Sequence, residues 1–254
     1  MSNLHNYITT SRPPPTPLFT SQDIRDRGST FTAHIFRSSS PIEAQKAISH
    51  LKNVIHASRP ATHEIAAWRC MALKAGKTGL GGPDDFELVQ GYDDDGEKYA
   101  GSKVLKIMQA ERVIDAVVVV SRWFGGEMLG PSRFDHIETC AREVCRAFTI
   151  SEELEGYITT LTTLDSILAT LRDELAELRK PSVEEEGEAT SSSQPKEKEK
   201  AKREDYASLK ETKDLKRAKR LVTARENSIK SVKAMIKKLQ DQQKANSAET
   251  TANK

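Results

Sequence analysis

Leu161, Leu164, Leu168, Leu171, Leu175 and Leu178 return at alternating steps of three and four, a spacing that leaves few folds open to the residues carrying it. Only an α-helix brings such positions to one side, and the alternation makes that side the a/d seam of a coiled coil. A second seam runs through Leu215, Ala218, Val222, Ile229, Val232, Ile236 and Leu239, with Arg225 where another apolar residue would fall. Between the two, residues 181–205 are rich in Glu, Ser and Lys and read as a disordered linker. Charge separates the helices: residues 151–195 hold eleven acidic and three basic side chains, residues 196–254 eighteen basic and nine acidic. Opposite charges attract, and the linker is long enough for the chain to turn back. The expectation is a hairpin of an acidic helix over 151–180 and a basic helix over 206–243, or the same pairing between two chains as a homodimer. Residues 244–254 are expected as a disordered end. Seams this short are marginal alone, so each helix needs a partner to form.

Residues 28–150 have a different texture, holding nearly all the glycine, both tryptophans and all three cysteines. They are long enough for a core of their own. The whole chain is only 37% hydrophobic and 30% charged, so some of it has to lie outside any core. Residues 1–27, with Arg12-Pro13-Pro14-Pro15-Thr16-Pro17 and no periodic pattern, read as a disordered arm. Within 28–150, Thr30 to Arg37 is strand-like. Ser40-Pro41-Ile42-Glu43 signals a helix start, with Ser40 as cap and Glu43 reaching back. His63 to Leu73 and Phe86 to Tyr92 read as strands, Ala100 to Ala110 as a helix, and Val113 to Ser121 as a central strand. A last helix opens at Pro131 and buries Ile137, Ala141, Val144 and Phe148. The order β-α-β-β-α-β-α predicts an α+β, two-layer domain.

The longest pure apolar run, Ala116 to Val120, falls far short of the ~20 residues of a membrane span. The N-terminus has no basic head before an apolar stretch, so no secretory signal is expected. Cys70, Cys140 and Cys145 form no CxxC pair and read as reduced thiols of a cytosolic or nuclear protein, and the chain is expected in the cytoplasm.

Two segments stand out chemically. Asp93-Asp94-Asp95-Gly96-Glu97 gathers carboxylates as a cation site would, but lacks the ligand alternation of an EF-hand. The simpler reading is an acidic turn stabilising the start of a helix, with acid to spare for a partner. Ser121 to Arg133 takes a buried strand through Gly125-Gly126 and Gly130 into a helix, a path able to cradle phosphate. It is neither a Walker sequence nor G-x-G-x-x-G, and its glycines serve equally well for a sharp turn. Arg122 and Arg133 are placed to pair with Asp94, Asp95 and Glu97 across the fold. His63-Glu64 is not followed by a second histidine, no G-x-S-x-G occurs, and no cysteine has a base at motif spacing. Nothing composes a nucleophile, base and oxyanion site, so the chain is not read as an enzyme, and no metal or cofactor is expected. The lysine-rich end is a candidate for nucleic acid, although it lacks aromatic residues for stacking; a solvated face paired with the acidic helix is the competing reading.

Several ordered segments carry a family resemblance. Asp94-Asp95-Gly96-Glu97-Lys98-Tyr99-Ala100-Gly101 resembles the D-D-G-E-x-x-A-G segment of the IMPACT family, which includes the bacterial YigZ proteins. Val117 to Gly126 is similar to its V-V-V-S-R-W-Y-G-G, and Leu129 to Ile137 to its L-G-P-D-R-F-K-H-I. Ala61 to Arg69 and Ser29 to His34 match upstream segments, and the Ser-Arg-Trp form points to the eukaryotic branch. The resemblance implies a fold like the second domain of ribosomal protein S5, followed here by a coiled-coil tail. It also implies a regulator of translation that binds the HEAT-repeat activator of the general-control kinase and keeps that kinase from phosphorylating the alpha subunit of initiation factor 2. Family members are also linked to actin, and an RNA- or ribosome-binding module is the alternative. Eukaryotic members usually place an RWD domain ahead of this one, where 27 residues stand here. Ser132 and Asp135 occupy positions the family often gives to Asp and Lys, changing charge on a candidate surface. The expected partner-binding face joins Asp94, Asp95, Glu97, Arg122, Trp123, Gly125, Gly126, Arg133 and His136.

Overall fold

The computed structural model describes residues 13–179 and 206–252. Contacts divide the chain between Thr149 and Ile150, and each side is described by itself. The first unit is built on one antiparallel sheet of β1 (Phe19–Thr20), β2 (Ile24–Asp26), β3 (Ser29–Arg37), β4 (His63–Leu73), β5 (Phe86–Asp93) and β6 (Ala116–Trp123). Its order is β1-β3-β6-β4-β5, with β2 also on β3. The apolar run of β6 lies at the centre, paired with β3 (Phe31↔Arg122) on one side and β4 (His63↔Arg122) on the other. All five residues from Ala116 to Val120 are fully buried, as a strand covered on both faces requires.

Side chains alternate across this sheet. Phe31, Ala33, Ile35, Ile65, Ala67, Val118 and Val120 face α2 (Ala100–Ala110) and the start of α3 (Ser132–Arg179) in the main core. Phe36, Ala66, Val117 and Val119 face the other way, onto Ala44, Ala47 and Ile48 of α1 (Pro41–His50) and the π-helical turn Leu51–Ile55. β3 runs parallel to β4 and crosses by α1 on one face; β5 runs parallel to β6 and crosses by α2 on the other. Step and strand direction both reverse between these crossovers while the face changes. They therefore have opposite hands, against the nearly universal right hand.

Local chemistry explains where the elements start. Ser40 caps α1 by accepting from the Glu43 amide, and the Glu43 carboxylate reaches back one residue further than expected, to the Ser39 amide and hydroxyl at 2.9 and 2.7 Å. The arm expected over 1–27 contributes structure from Phe19 onward. Phe19↔Ile35 and Ile24↔Phe31 pair on β3, which otherwise would be an edge with bare amides and carbonyls. Two strands of two and three residues carry too little periodicity to be seen in a sequence. Residues 1–12 lie outside the described residues.

The helix opening after Pro131 and the acidic helix expected over 151–180 are one element, α3, with 48 residues and no break. No proline lies between Pro131 and Pro181, and the single Gly156 weakens a helix without ending it. In the second unit the later part of α3 meets a short helix over 206–212 and then α4 (Leu215–Ala252). Lys213, left-handed at φ 50°, makes the turn between these two. Leu154, Leu161, Leu209 and Ala218 form one buried cluster, and Leu168, Leu175, Ile229, Val232 and Ile236 another. The Asp165 carboxylate meets Arg225 Nε at 2.6 Å, and Gln243 Nε2 donates to the Leu178 carbonyl at 3.1 Å. Partners thus rise together, so α3 and α4 run in parallel. The acidic and basic helices do pair within one chain, but the expected hairpin is replaced by a parallel pair. An a/d seam does not set direction, and residues 180–205 are long enough to return alongside α3 in either sense. The linker itself lies outside the described residues. The helix expected to end at 243 continues to Ala252.

Candidate functional site

The acidic turn is folded on itself. The Asp94 carboxylate accepts from the Tyr99 and Gly101 amides at 3.0 and 2.8 Å, satisfying donors at the start of α2. Asp95 accepts from the Glu64 amide at 2.7 Å and from Lys52 Nζ at 3.2 Å, while its carbonyl accepts from His63 at 2.8 Å. Gly96, at φ +88°, makes the turn that aims Glu97 inward. Glu97 is 6% exposed and Arg122, beside it on β6, 5%. One Glu97 oxygen takes Arg122 Nη1 in a short hydrogen bond; the other takes Arg133 Nε at 2.6 Å. Arg133 also holds the Gly130 carbonyl, and its guanidinium lies 4.3 Å from the Phe134 ring centroid. One buried carboxylate therefore joins the turn, the central strand and the start of α3.

The glycine bend closes against the start of β3. A Cβ on Gly125 would stand 2.0 Å from the Gly28 carbonyl carbon and 2.4 Å from the Ser29 amide. Gly126, at φ +90°, carries the chain away. Two of the bend's amides are occupied: Phe124 N–H donates to Thr62 Oγ1 at 3.0 Å and Gly125 N–H to Ser29 Oγ at 3.2 Å. These glycines serve a close backbone crossing rather than a phosphate cradle. Gly125→Ala is expected to destabilise the first unit by about 1–3 kcal/mol, because the colliding atoms are backbone and have no rotamer to escape into. Urea unfolding followed by tryptophan fluorescence measures it, since Trp68 and Trp123 both lie in this unit.

The nine expected residues do not form one face. Arg122 and Trp123 are neighbours on a strand and point to opposite sides of the sheet. Glu97, Arg122 and Arg133 meet on the main-core side. Trp123 lies on the other side, its indole N–H donating to the Arg59 carbonyl at 3.0 Å and its ring 5.0 Å from that of His56. His136 is held by Asp26 at 2.9 Å and packs on Phe31. That contact, with Arg27 adding to it, draws the Asp26 carboxyl below its ordinary range.

Thr62, His63, Phe124, Met128 and Leu129 were not singled out as site residues by sequence. With Glu97, Arg122, Gly130 and Arg133 they line a hollow of about 320 Å³. Phe124 is 42% exposed and Met128 78%. Apolar side chains left in water beside the Gly125-Gly126 bend were the available signal.

Behind Trp123, His56 Nδ1 and the Ser121 hydroxyl both meet the buried Glu64 carboxylate, at 2.7 and 2.5 Å. The carboxylate stands between hydroxyl and imidazole, so the serine proton has no path to the histidine, unlike a nucleophile–base pair. His34 stacks edge-on with His56 at 5.4 Å. Burial, with His56 adding to it, pushes the His34 pKa down to about 4 from 6.5. The folded chain keeps His34 neutral while the unfolded chain binds a proton below 6.5. Stability is therefore complete above pH 6.5 and is lost as pH falls toward 4. Between pH 7 and 4.5 this group is expected to remove on the order of 2–3 kcal/mol, and His34→Gln is expected to flatten that part of a urea-midpoint titration. Burial also drives the Cys140 and Cys145 thiols up to about 11 and about 12, so neither is a ready nucleophile. Among the described residues no group of His, Cys, Asp or Glu is placed to hold a metal ion, and no helix is long and apolar enough to cross a membrane.

Residues 27–145 match the family model of the Impact N-terminal domain. Protein IMPACT of Xenopus laevis is 39% identical over 131 residues, which is 50% of this chain and 38% of that protein. Protein IMPACT of Homo sapiens is 40% identical over 124 residues, 48% of this chain and 34% of that protein. The chain thus spans under two-fifths of the length of these curated relatives. A solved structure of the two-domain translational regulator Yih1 is 36% identical, covering 53% of this chain and 50% of its own, at a TM-score of 0.32.

Proposed function

We propose, from the premise that this chain belongs through residues 27–145 to the Impact N-terminal domain family, that it is a non-enzymatic, cytoplasmic regulator of translation acting by binding another protein. The observation that carries this reading is the hollow beside the glycine bend. Phe124 and Met128 stand exposed next to the partly open Arg133. Aromatic, methionine and arginine side chains gathered around a concavity are the composition that protein interfaces favour and that supplies their anchoring residues. The acidic turn holds this patch in shape through Glu97 and is not itself the contact. The sequence likeness to proteins named IMPACT supports the family resemblance, and that resemblance implies the role in translation. The partner implied by family resemblance is the HEAT-repeat activator of the general-control kinase, which places the chain in the stress pathway leading to initiation factor 2 alpha; actin and the ribosome are the other candidates.

Binding of the full chain to the purified HEAT-repeat activator tests the reading. Wild type is expected to bind. Met128→Asp, which puts a charge on an exposed position without touching the core, is expected to weaken binding about tenfold or more. No binding by wild type, or equal binding by Met128→Asp, overturns the reading.

A further inference from the structure

We infer that the outer face of α4 docks double-helical RNA, held through its phosphates and without regard to sequence. In the heptad frame of α4, Leu215, Val222, Ile229 and Ile236 form one inward column, and Ala218, Arg225, Val232 and Leu239 the other. Next to them, on the outward side, run two further columns. Lys216, Thr223, Lys230, Lys237 and Lys244 recur every seven residues, and Lys219, Glu226, Lys233 and Gln240 stand beside them. All nine are exposed. At 1.5 Å per residue the first column extends roughly 42 Å in steps of roughly 10 Å.

These lysines do not serve the helix pair. Arg225 crosses to α3 instead, meeting Asp165 at 2.6 Å from an inward position with Tyr206 on the same carboxylate. Lys216, Lys219, Lys230, Lys233, Lys237 and Lys244 have no acid within ion-pair distance among the described residues. Among the described residues, charge complementarity with the acidic helix does not absorb these six lysines. The result is two adjoining columns that hold six lysines without ion pairs, four in one and two in the other, with one acid, Glu226, among them.

The chemistry of the row selects its occupant. No apolar or aromatic side chain stands in the two columns, whereas a protein partner needs such anchors and protein interfaces are depleted in lysine. Single strands are gripped by stacking on aromatic rings, which are missing here. Regularly spaced ammonium groups along a rigid rod suit a rigid polyphosphate, bound by counterion release. The preference for RNA over DNA rests on the proposed role in translation; the phosphate contact does not.

Filter-binding or anisotropy with the purified full chain and a labelled RNA duplex of arbitrary sequence tests this without the protein partner. The two readings therefore fail separately. Wild type is expected to bind with an affinity that falls steeply with salt. The variant Lys230→Gln, Lys233→Gln, Lys237→Gln, Lys244→Gln is expected to bind about tenfold more weakly, with the slope of log affinity against log salt reduced by roughly three to four. The matching quadruple Lys→Arg variant is expected to keep both, and circular dichroism at 222 nm to show all three chains equally helical. Four outcomes overturn the proposal: no retention of the duplex at low salt, an unchanged slope in the glutamine variant, stronger competition by polyglutamate than by unlabelled RNA, or tighter binding of a DNA duplex of the same length.

Discussion

Glu97→Ala is expected to cost the first unit about 3–5 kcal/mol, the usual effect of removing one partner from a buried ion pair. At this domain size that is a fall in Tm of roughly 10–15 °C. The size follows from what is left behind. Arg122 is 5% exposed and has Phe31 and Phe124 within 6 Å of its guanidinium, so little of its charge is compensated when the carboxylate is gone. Its Nε already lacks a hydrogen-bond partner, which leaves Glu97 as its main compensation. Arg133 is a quarter exposed and can turn outward. The double variant Glu97→Ala, Arg122→Met is therefore expected to be more stable than Glu97→Ala, because it removes the stranded charge along with its partner. Tryptophan fluorescence in urea measures both, and a double variant no more stable than the single would show that the bridge is not what holds turn and strand together.

Leu168→Ala is expected to remove about 2–5 kcal/mol from the second unit. Leu168 is 1% exposed and packs with Ile229, Val232 and Ile236 in one of only two buried clusters there among the described residues. A parallel helix pair with so little core has no reserve, and helices of this kind depend on packing more than on propensity. The expected result is a loss of ellipticity at 222 nm with an unchanged tryptophan signal, since both tryptophans lie in the first unit. If fluorescence and ellipticity fell together, the division between Thr149 and Ile150 would not be a division of stability.

Arg225 shows how far pattern could be followed. Its place in the seam was visible as an interruption, but its use was not: it forms a partly buried polar layer with Asp165 and Tyr206 that fixes the register of the pair. Tyr206 opens the stretch expected as one helix over 206–243, but no periodicity announced the turn at Lys213 that sets 206–212 apart as a short helix of its own. The strands at Phe19 and Ile24 were missed for a related reason. They exist because β3 has an open edge to be covered, and an edge is a property of the assembled sheet.

What the sequence determined by itself was everything that depends on local spacing: the central strand at Ala116 to Val120, the Ser40 cap, the leucine seams, the α+β order and the segments of family resemblance. Hydrophobic periodicity is written residue by residue, so it survives without a structure. Only the tertiary structure decided which charges meet. It buried Glu97 between Arg122 and Arg133, turned Trp123 to the far side of the sheet, closed Gly125 on Gly28, and set α4 parallel to α3 with its lysines facing out. Those outcomes depend on residues tens of positions apart and on which face a strand presents, and the energy of a charge is set by what surrounds it rather than by its place in the chain.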